Sequence, residues 1–169
     1  MFDEPSDDAV LLRRLSMDDV DAWLAGEDDE QIRWFEFPGP ATRAHVERAI
    51  AAWQESWASD GPVRHWGVCV LATRELAGGV ELRDLGDGRV SLSYVIFPPY
   101  RRRGFAARAS RLALDDAAQV LRATSAVIKI VEGNEASRGV ARSLGAEMVG
   151  HEPTDAGGRF VVFMLQLDR

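Results

Sequence analysis

The stretch Val95-Ile96-Phe97-Pro98-Pro99-Tyr100-Arg101-Arg102-Arg103-Gly104-Phe105-Ala106-Ala107-Arg108-Ala109 decides the fold. It starts as the end of an apolar strand, Arg89 to Phe97, which two prolines stop because they cannot donate to a sheet ladder. Three arginines and a glycine then lead into a helical stretch from Phe105 to about Arg122. A helix N-terminus carries unpaired N–H groups and the positive end of the helix dipole, and Gly104 and Ala106 leave that backbone open to close approach. The physical reading is a cradle for a diphosphate, with Arg101, Arg102 and Arg103 as charge partners.

Upstream, Ala9 to Leu15 reads as a strand, and Ser16 with Asp19 forms an N-cap signal for a short helix over Asp18 to Ala25. Gly26 and the acidic run Glu27 to Glu30 break the pattern. The segment carrying Trp34, Phe35 and Phe37 up to Pro38-Gly39-Pro40 then reads as a loop. Thr42 opens a helix whose Val46, Ile50, Trp53 and Trp57 share one face, and Asp60-Gly61-Pro62 ends it. Three strands follow, Arg64 to Thr73, Glu75 to Leu85 and Arg89 to Phe97, with a hairpin signal at Gly86-Asp87-Gly88. Beyond the cradle come a strand (Ala126 to Val131), a helix (Glu135 to Leu144) closed by Gly145, and two strands, Glu147 to Gly150 and Arg159 to Leu167. This order predicts an α+β fold with a mixed, mostly antiparallel sheet, not a doubly wound parallel one.

With 169 residues, 46% hydrophobic and 28% charged, the chain suits one domain spanning residues 1–169 with a substantial core. No apolar run approaches a membrane span, and Met1 to Asp8 is acidic where a secretory signal is basic, so a cytoplasmic protein without membrane partners is expected. Cys69 stands alone in an apolar run and reads as a buried core thiol. His45, His65 and His151 have no metal-ligand spacing and read as surface or core histidines, so no metal is expected. The net charge is -7. Eleven Asp or Glu fall within residues 1–30, while Arg101 to Arg111 holds five arginines and no acid. That distribution argues against a nucleic-acid partner and for a small anionic ligand at the basic patch.

The cradle residues also resemble a known family. Arg101-x-x-Gly104-x-Ala106 matches the Arg/Gln-x-x-Gly-x-Gly/Ala signature of the GNAT superfamily of acyl-CoA-dependent N-acyltransferases. Glu132-Gly133-Asn134-Glu135-Ala136-Ser137 with Leu144-Gly145-Ala146 resembles its Asn-x-x-Ser … Leu-Gly-Phe segment. Arg33-Trp34 … Phe37-Pro38 and the Asn134/Ser137 pair are closest to the branch of ribosomal-protein alanine N-acetyltransferases. The resemblance spans residues 9–167 and implies helices on both faces of the sheet, acetyl-CoA as co-substrate and an amine as acceptor. It also implies a donor site of Val95, Ile96, Phe97, Arg101, Arg102, Arg103, Gly104, Phe105, Ala106, Ala107, Asn134 and Ser137. Strand-edge N–H groups near Val95 to Phe97 would polarise the thioester carbonyl. Dimers are common in resembling proteins, and open sheet edges around the last strands offer a pairing surface.

Direct attack of an amine on a thioester benefits from a general base and a donor to the leaving thiolate. Glu81, in the central strand run Gly79-Val80-Glu81-Leu82, is the first candidate base; a strand carboxylate facing water is the simple alternative. Many relatives carry Glu where Ser91 stands here. The acid position seven residues after the motif asparagine, tyrosine in many members, is Ala141 here, which makes Ser137 the substitute; a capping serine is its alternative role. Trp34, Phe35 and Phe37 either line an acceptor pocket or pack against the helix of Trp53 and Trp57. Two further readings compete. One takes Gly104-x-Ala106-x-x-Ala109 with Glu132 as a nicotinamide-dinucleotide fingerprint, weakened by the absent middle glycine and the crowding arginines. The other is a non-catalytic acyl-CoA sensor of the same fold.

Overall fold

The computed structural model describes residues 4–167, so the first residues of the acidic Met1–Asp8 stretch lie outside the described part. In chain order the elements are β1 (Val10–Arg13), a 3-10 turn (Met17–Asp19), α1 (Val20–Gly26), α2 (Asp29–Trp34) and α3 (Arg43–Ala58). Next come β2 (Val63–Val70), β3 (Leu76–Gly86), β4 (Arg89–Ile96) and a second 3-10 turn (Pro98–Tyr100). The chain closes with α4 (Phe105–Gln119), β5 (Ser125–Val131), α5 (Glu135–Ser143), β6 (Glu147–Pro153) and β7 (Arg159–Gln166). The seven strands form one sheet in the order β1-β2-β3-β4-β5-β7-β6. Only the β4–β5 pair is parallel. The α+β, mostly antiparallel architecture expected from the element order is what the chain adopts.

The local reading fails at one element. The acidic run taken for a loop starts α2: Asp28 caps the helix by accepting from the Gln31 N–H at 2.9 Å, and Asp29 and Glu30 occupy its first turn. Carboxylates there complement the unpaired N–H groups and the dipole, so a run that looks like a solvated loop is also a helix-start signal.

Helices cover both faces. On one, Phe105, Ala109, Ala113 and Ala117 of α4 pack with Trp66, Val80 and Leu92. On the other, Trp23 of α1 and Val46 and Ile50 of α3 pack with Leu11, Cys69, Leu76 and Phe97. Cys69 is fully buried, and burial pushes its thiol pKa up, as for a core thiol. No helix among the described residues is long and apolar enough to cross a membrane.

Two features of the sheet prepare a site. Pairing aligns His65, Glu81 and Ser93 in one row across β2, β3 and β4, and Gly67, Gly79 and Val95 in the next row on the same face. A Cβ on Gly79 would sit 2.7 Å from the Trp23 ring and 2.8 Å from His65 Nε2, so only glycine lets both rings reach the sheet there. The second feature is a split: β4 pairs with β5 only from Arg89 to Ser91. Beyond that the strands part, leaving the edge of β4 from Leu92 onward without a strand on that side.

Candidate active site

The split opens onto the N-terminus of α4. Gly104 caps that helix in the left-handed conformation (φ +76°), with no other atom within 4 Å of where a Cβ would stand. The first helical bond is made by the Arg108 N–H to the Gly104 carbonyl. The N–H groups of Phe105, Ala106 and Ala107 therefore have no acceptor within the helix, and no side chain caps them. They face a cavity of about 440 Å³ also lined by Tyr94, Val95, Ile96, Arg101, Arg102, Asn134 and Ser137. Twelve residues were expected at the donor site, and this cavity gathers ten of them. Orphaned amides around an open left-handed glycine fit the diphosphate of coenzyme A.

The two others, and Arg101 among the ten, are placed differently from expectation. Phe97 is buried against Trp23, ring centroids 5.5 Å apart and edge to face, and its N–H donates to the Ala77 carbonyl at 2.8 Å. By strand alternation Val95 also turns its backbone toward β3, which leaves Tyr94 and Ile96 as the residues whose backbone faces the split. Arg103 stands outside the cavity, its guanidinium over the Phe105 ring. Arg101 is engaged throughout: Nε donates to the Ile96 carbonyl (2.8 Å), both Nη atoms to Asp28 (2.7 and 2.9 Å), and Nη1 also to Glu30 (2.8 Å). The Arg101 guanidinium holds the Asp28 carboxyl below the usual carboxylate range. Arg101 thus straps α2 to the cradle loop, and Arg102 is the exposed arginine left at the cavity.

At the far wall Asn134 caps α5 by accepting from the Ser137 N–H at 3.1 Å. The Ser137 hydroxyl has no hydrogen-bond partner among the described residues and borders the cavity. Its carbonyl accepts from the Tyr94 hydroxyl at 3.1 Å. Burial pushes the Tyr94 pKa up to about 12, against the opposing effect of that bond, so Tyr94 keeps its proton at neutral pH. Ala141, at the position where many relatives carry tyrosine, is fully buried.

A second cavity of about 630 Å³ lies on the α1/α3 side, walled by Trp23, Phe35, Phe37 and Trp53 with Glu27, Gln31, His45 and Arg48 around it. Its floor is the row of His65, Glu81 and Ser93. Phe35 and Phe37 stack on each other, 5.4 Å apart, and stand partly exposed along this cavity. Trp34 lines the other one. Gln31, Phe35, Tyr94 and Val95 line both cavities, so the two meet at β4.

Glu81 is not a water-facing strand carboxylate. Its Oε2 lies 3.3 Å from His65 Nδ1, and its Oε1 accepts from Arg83 at 3.3 Å. Burial alone would raise its pKa, but the His65 bond and the Arg83 charge outweigh it and hold Glu81 ionised. His65 stacks on Trp53 at 3.6 Å. Burial lowers its pKa despite Glu81, so the ring is neutral near pH 7. An ionised Glu81 can only accept, so the imidazole proton sits on Nδ1 and Nε2 carries the lone pair. Nε2 is buried and has no partner. Sequence reasoning read His65 as an ordinary histidine; its position directly opposite Glu81 exists only through the β2–β3 register. Among the described residues no three His, Cys, Asp or Glu side chains gather as a metal-ligand cluster.

Glu132, the acid of the dinucleotide reading, is paired with Arg159 at 2.5 and 3.1 Å. The sequence profile of the acetyltransferase (GNAT) domain matches residues 9–147. No curated protein sequence gives a significant match. Among solved structures, RimL, a ribosomal L7/L12 alpha-N-protein acetyltransferase in complex with coenzyme A, superposes with a TM-score of 0.85 at 14% identity, covering 97% of each chain. A ribosomal-protein-S5-alanine acetyltransferase from Vibrio fischeri gives 0.83 at 13% identity over 99% of this chain and 98% of its own. A spermidine N-acetyltransferase from Vibrio cholerae, in complex with CoA and spermine, gives 0.78 at 16% identity over 95% and 97%.

Proposed function

The chain belongs to the GNAT family of acetyl-CoA-dependent N-acetyltransferases, and from that premise we propose that residues 1–169 form one catalytic domain acetylating a primary amine presented in the 630 Å³ cavity. The amine is that of a small cationic molecule or of a protein N-terminus, and the structural neighbours include proteins named for both kinds of acceptor. The observation that carries the reading is the meeting of two cavities at Tyr94 and Val95. One ends in orphaned helix amides suited to a diphosphate, the other in a carboxylate-backed imidazole suited to an amine.

Acetyl-CoA supplies an acyl group already activated as a thioester, so no covalent intermediate on the enzyme is needed. The amides of Phe105, Ala106 and Ala107, with Arg102, hold the diphosphate. The free edge of β4 at Tyr94 and Ile96 aligns the pantetheine arm and offers N–H to the thioester carbonyl. An amine enters as an ammonium drawn toward Glu81 and must lose a proton to attack. His65 Nε2 receives that proton, and Glu81 fixes the tautomer and stabilises the imidazolium. The nitrogen's remaining proton passes to the sulfur, so CoA leaves as its thiol, with the Ser137 hydroxyl hydrogen-bonding the sulfur as it departs, while Tyr94 holds the first turn of α5 in place through the Ser137 carbonyl. The exposed edge strand β6, bearing Met148 and Val149, is the surface through which two copies would pair.

The test is calorimetric titration with acetyl-CoA followed, in the same preparation, by thiol release against amines and N-terminal peptides. Binding with amine-dependent release is expected. Failure to bind acetyl-CoA would overturn the cradle, and binding without release to any amine would overturn the transferase assignment.

A further inference from the structure

We propose that the acceptor is a small primary monoamine carried on an aromatic or bulky apolar body, rather than a polyamine or a peptide. This rests on the transferase reading above and narrows its acceptor. Three observations converge. The cavity presents the rings of Trp23, Phe35, Phe37 and Trp53, with Pro38 and Pro40 beside them. Such walls take an apolar body and tolerate one ammonium against their π faces.

Charge sets the number of amines. Of the groups lining the cavity, Glu27 and Glu81 are carboxylates and Arg48 is a guanidinium, so two carboxylates face one guanidinium there. Glu27 Oε1 accepts from the Ala41 N–H at 2.7 Å. A polyamine would bring a second ammonium to Glu27 and a third toward Arg48 with no lining carboxylate left to meet it, and that third group would lose hydration without compensation.

Unmet hydrogen bonds set the position. Among the described residues, two buried side-chain acceptors lining this cavity have no partner: His65 Nε2 and Gln31 Oε1. Both residues are more than nine-tenths buried. An unpaired buried acceptor is costly, and an amine supplies the N–H groups both lack. Gln31 also borders the donor cavity, so an amine held between His65 and Gln31 stands beside the strand edge where the thioester carbonyl would lie. Its body then extends between the four aromatic rings.

The experiment compares initial rates at saturating acetyl-CoA for 2-phenylethylamine, spermidine, kanamycin, an Ala-initiated pentapeptide and a Phe-initiated one. The expected kcat/KM for 2-phenylethylamine exceeds that for spermidine by ~30-fold, the return from burying one phenyl ring. The half-exposed Phe37 borders only the acceptor cavity. Phe37→Asp adds the missing carboxylate there and shifts the ratio toward spermidine by ~10-fold, with acetyl-CoA affinity unchanged in calorimetry. Preference for spermidine, kanamycin or either peptide in the wild type would overturn this inference and leave the transferase standing. Acetyl-CoA binding with no amine turned over would overturn the transferase reading and this inference with it.

Discussion

Replacing His65 by phenylalanine separates catalysis from stability. The phenyl ring keeps the stack on Trp53 and fills the same space beside Gly79. Folding loses a hydrogen bond to an ionised carboxylate, about 1.5–3 kcal/mol, while Glu81 keeps Arg83. Folding also sheds a buried acceptor with no partner, which relieves about 1–3 kcal/mol. The two effects nearly cancel, so stability should change by no more than about 2 kcal/mol, a Tm shift within about 8 °C for a chain of this size. Turnover should behave differently. Without Nε2 the proton acceptor assigned to the reaction is gone, and kcat should fall by ~10²–10⁴. Acetyl-CoA affinity should stay within about threefold of wild type, since His65 does not line the donor cavity. The pH dependence adds an independent check. The folded pKa of His65 lies below its unfolded value of 6.5, so below pH 6.5 the unfolded chain takes up a proton that the folded chain refuses. Wild-type stability therefore falls as pH drops from about 7 toward the depressed folded value, and the variant should lack that part of the slope. Circular-dichroism melts at pH 7 and pH 5 with steady-state kinetics settle it. A kcat within threefold of wild type in the folded variant would refute the proton-acceptor role.

Further outcomes are expected elsewhere. Gly104→Glu should weaken acetyl-CoA binding by ~100-fold in calorimetry, since it forces a side chain into φ +76° and sets a carboxylate at the diphosphate; Gly104→Ala, with open space for its Cβ, should cost far less. Ser137→Ala should lower kcat by ~10-fold with little change in acetyl-CoA affinity, whereas equal loss of both would mark Ser137 as a binding or capping residue. Arg101→Met frees Asp28, whose depressed folded pKa contributes stability above about pH 4 that is lost as pH falls; the variant should melt lower at pH 7 and lose less on acidification to pH 3.

The donor half of the site was legible because its signals are local. Two prolines end β4, a glycine takes the left-handed position, and a helix starts where the motif says it should, all within Val95 to Ala109. Asn134 and Ser137 follow the same logic at α5. The acceptor half resisted because register assembles it. His65 and Glu81 lie sixteen residues apart and meet only because β2 and β3 pair them, on a face where Gly79 lets the Trp23 and His65 rings reach the sheet. The partners of Arg101 stayed out of sight for a related reason: an arginine in a phosphate motif looks free until α2 brings Asp28 and Glu30 to it from more than seventy residues upstream. The signal for α2 was present in Asp28-x-x-Gln31, a helix cap hidden inside an acidic run.

The strap from Arg101 to α2 has a consequence for redesign. Gln31 and Phe35 ride on or just after that helix and border both cavities, so a substitution there made to admit a new acceptor also disturbs the loop that carries the orphaned α4 amides. The opposite wall, from Phe37 through Ala49, touches only the acceptor cavity. A laboratory lineage seeking new amine scope should accumulate its productive changes on that wall, with the strapped helix held constant.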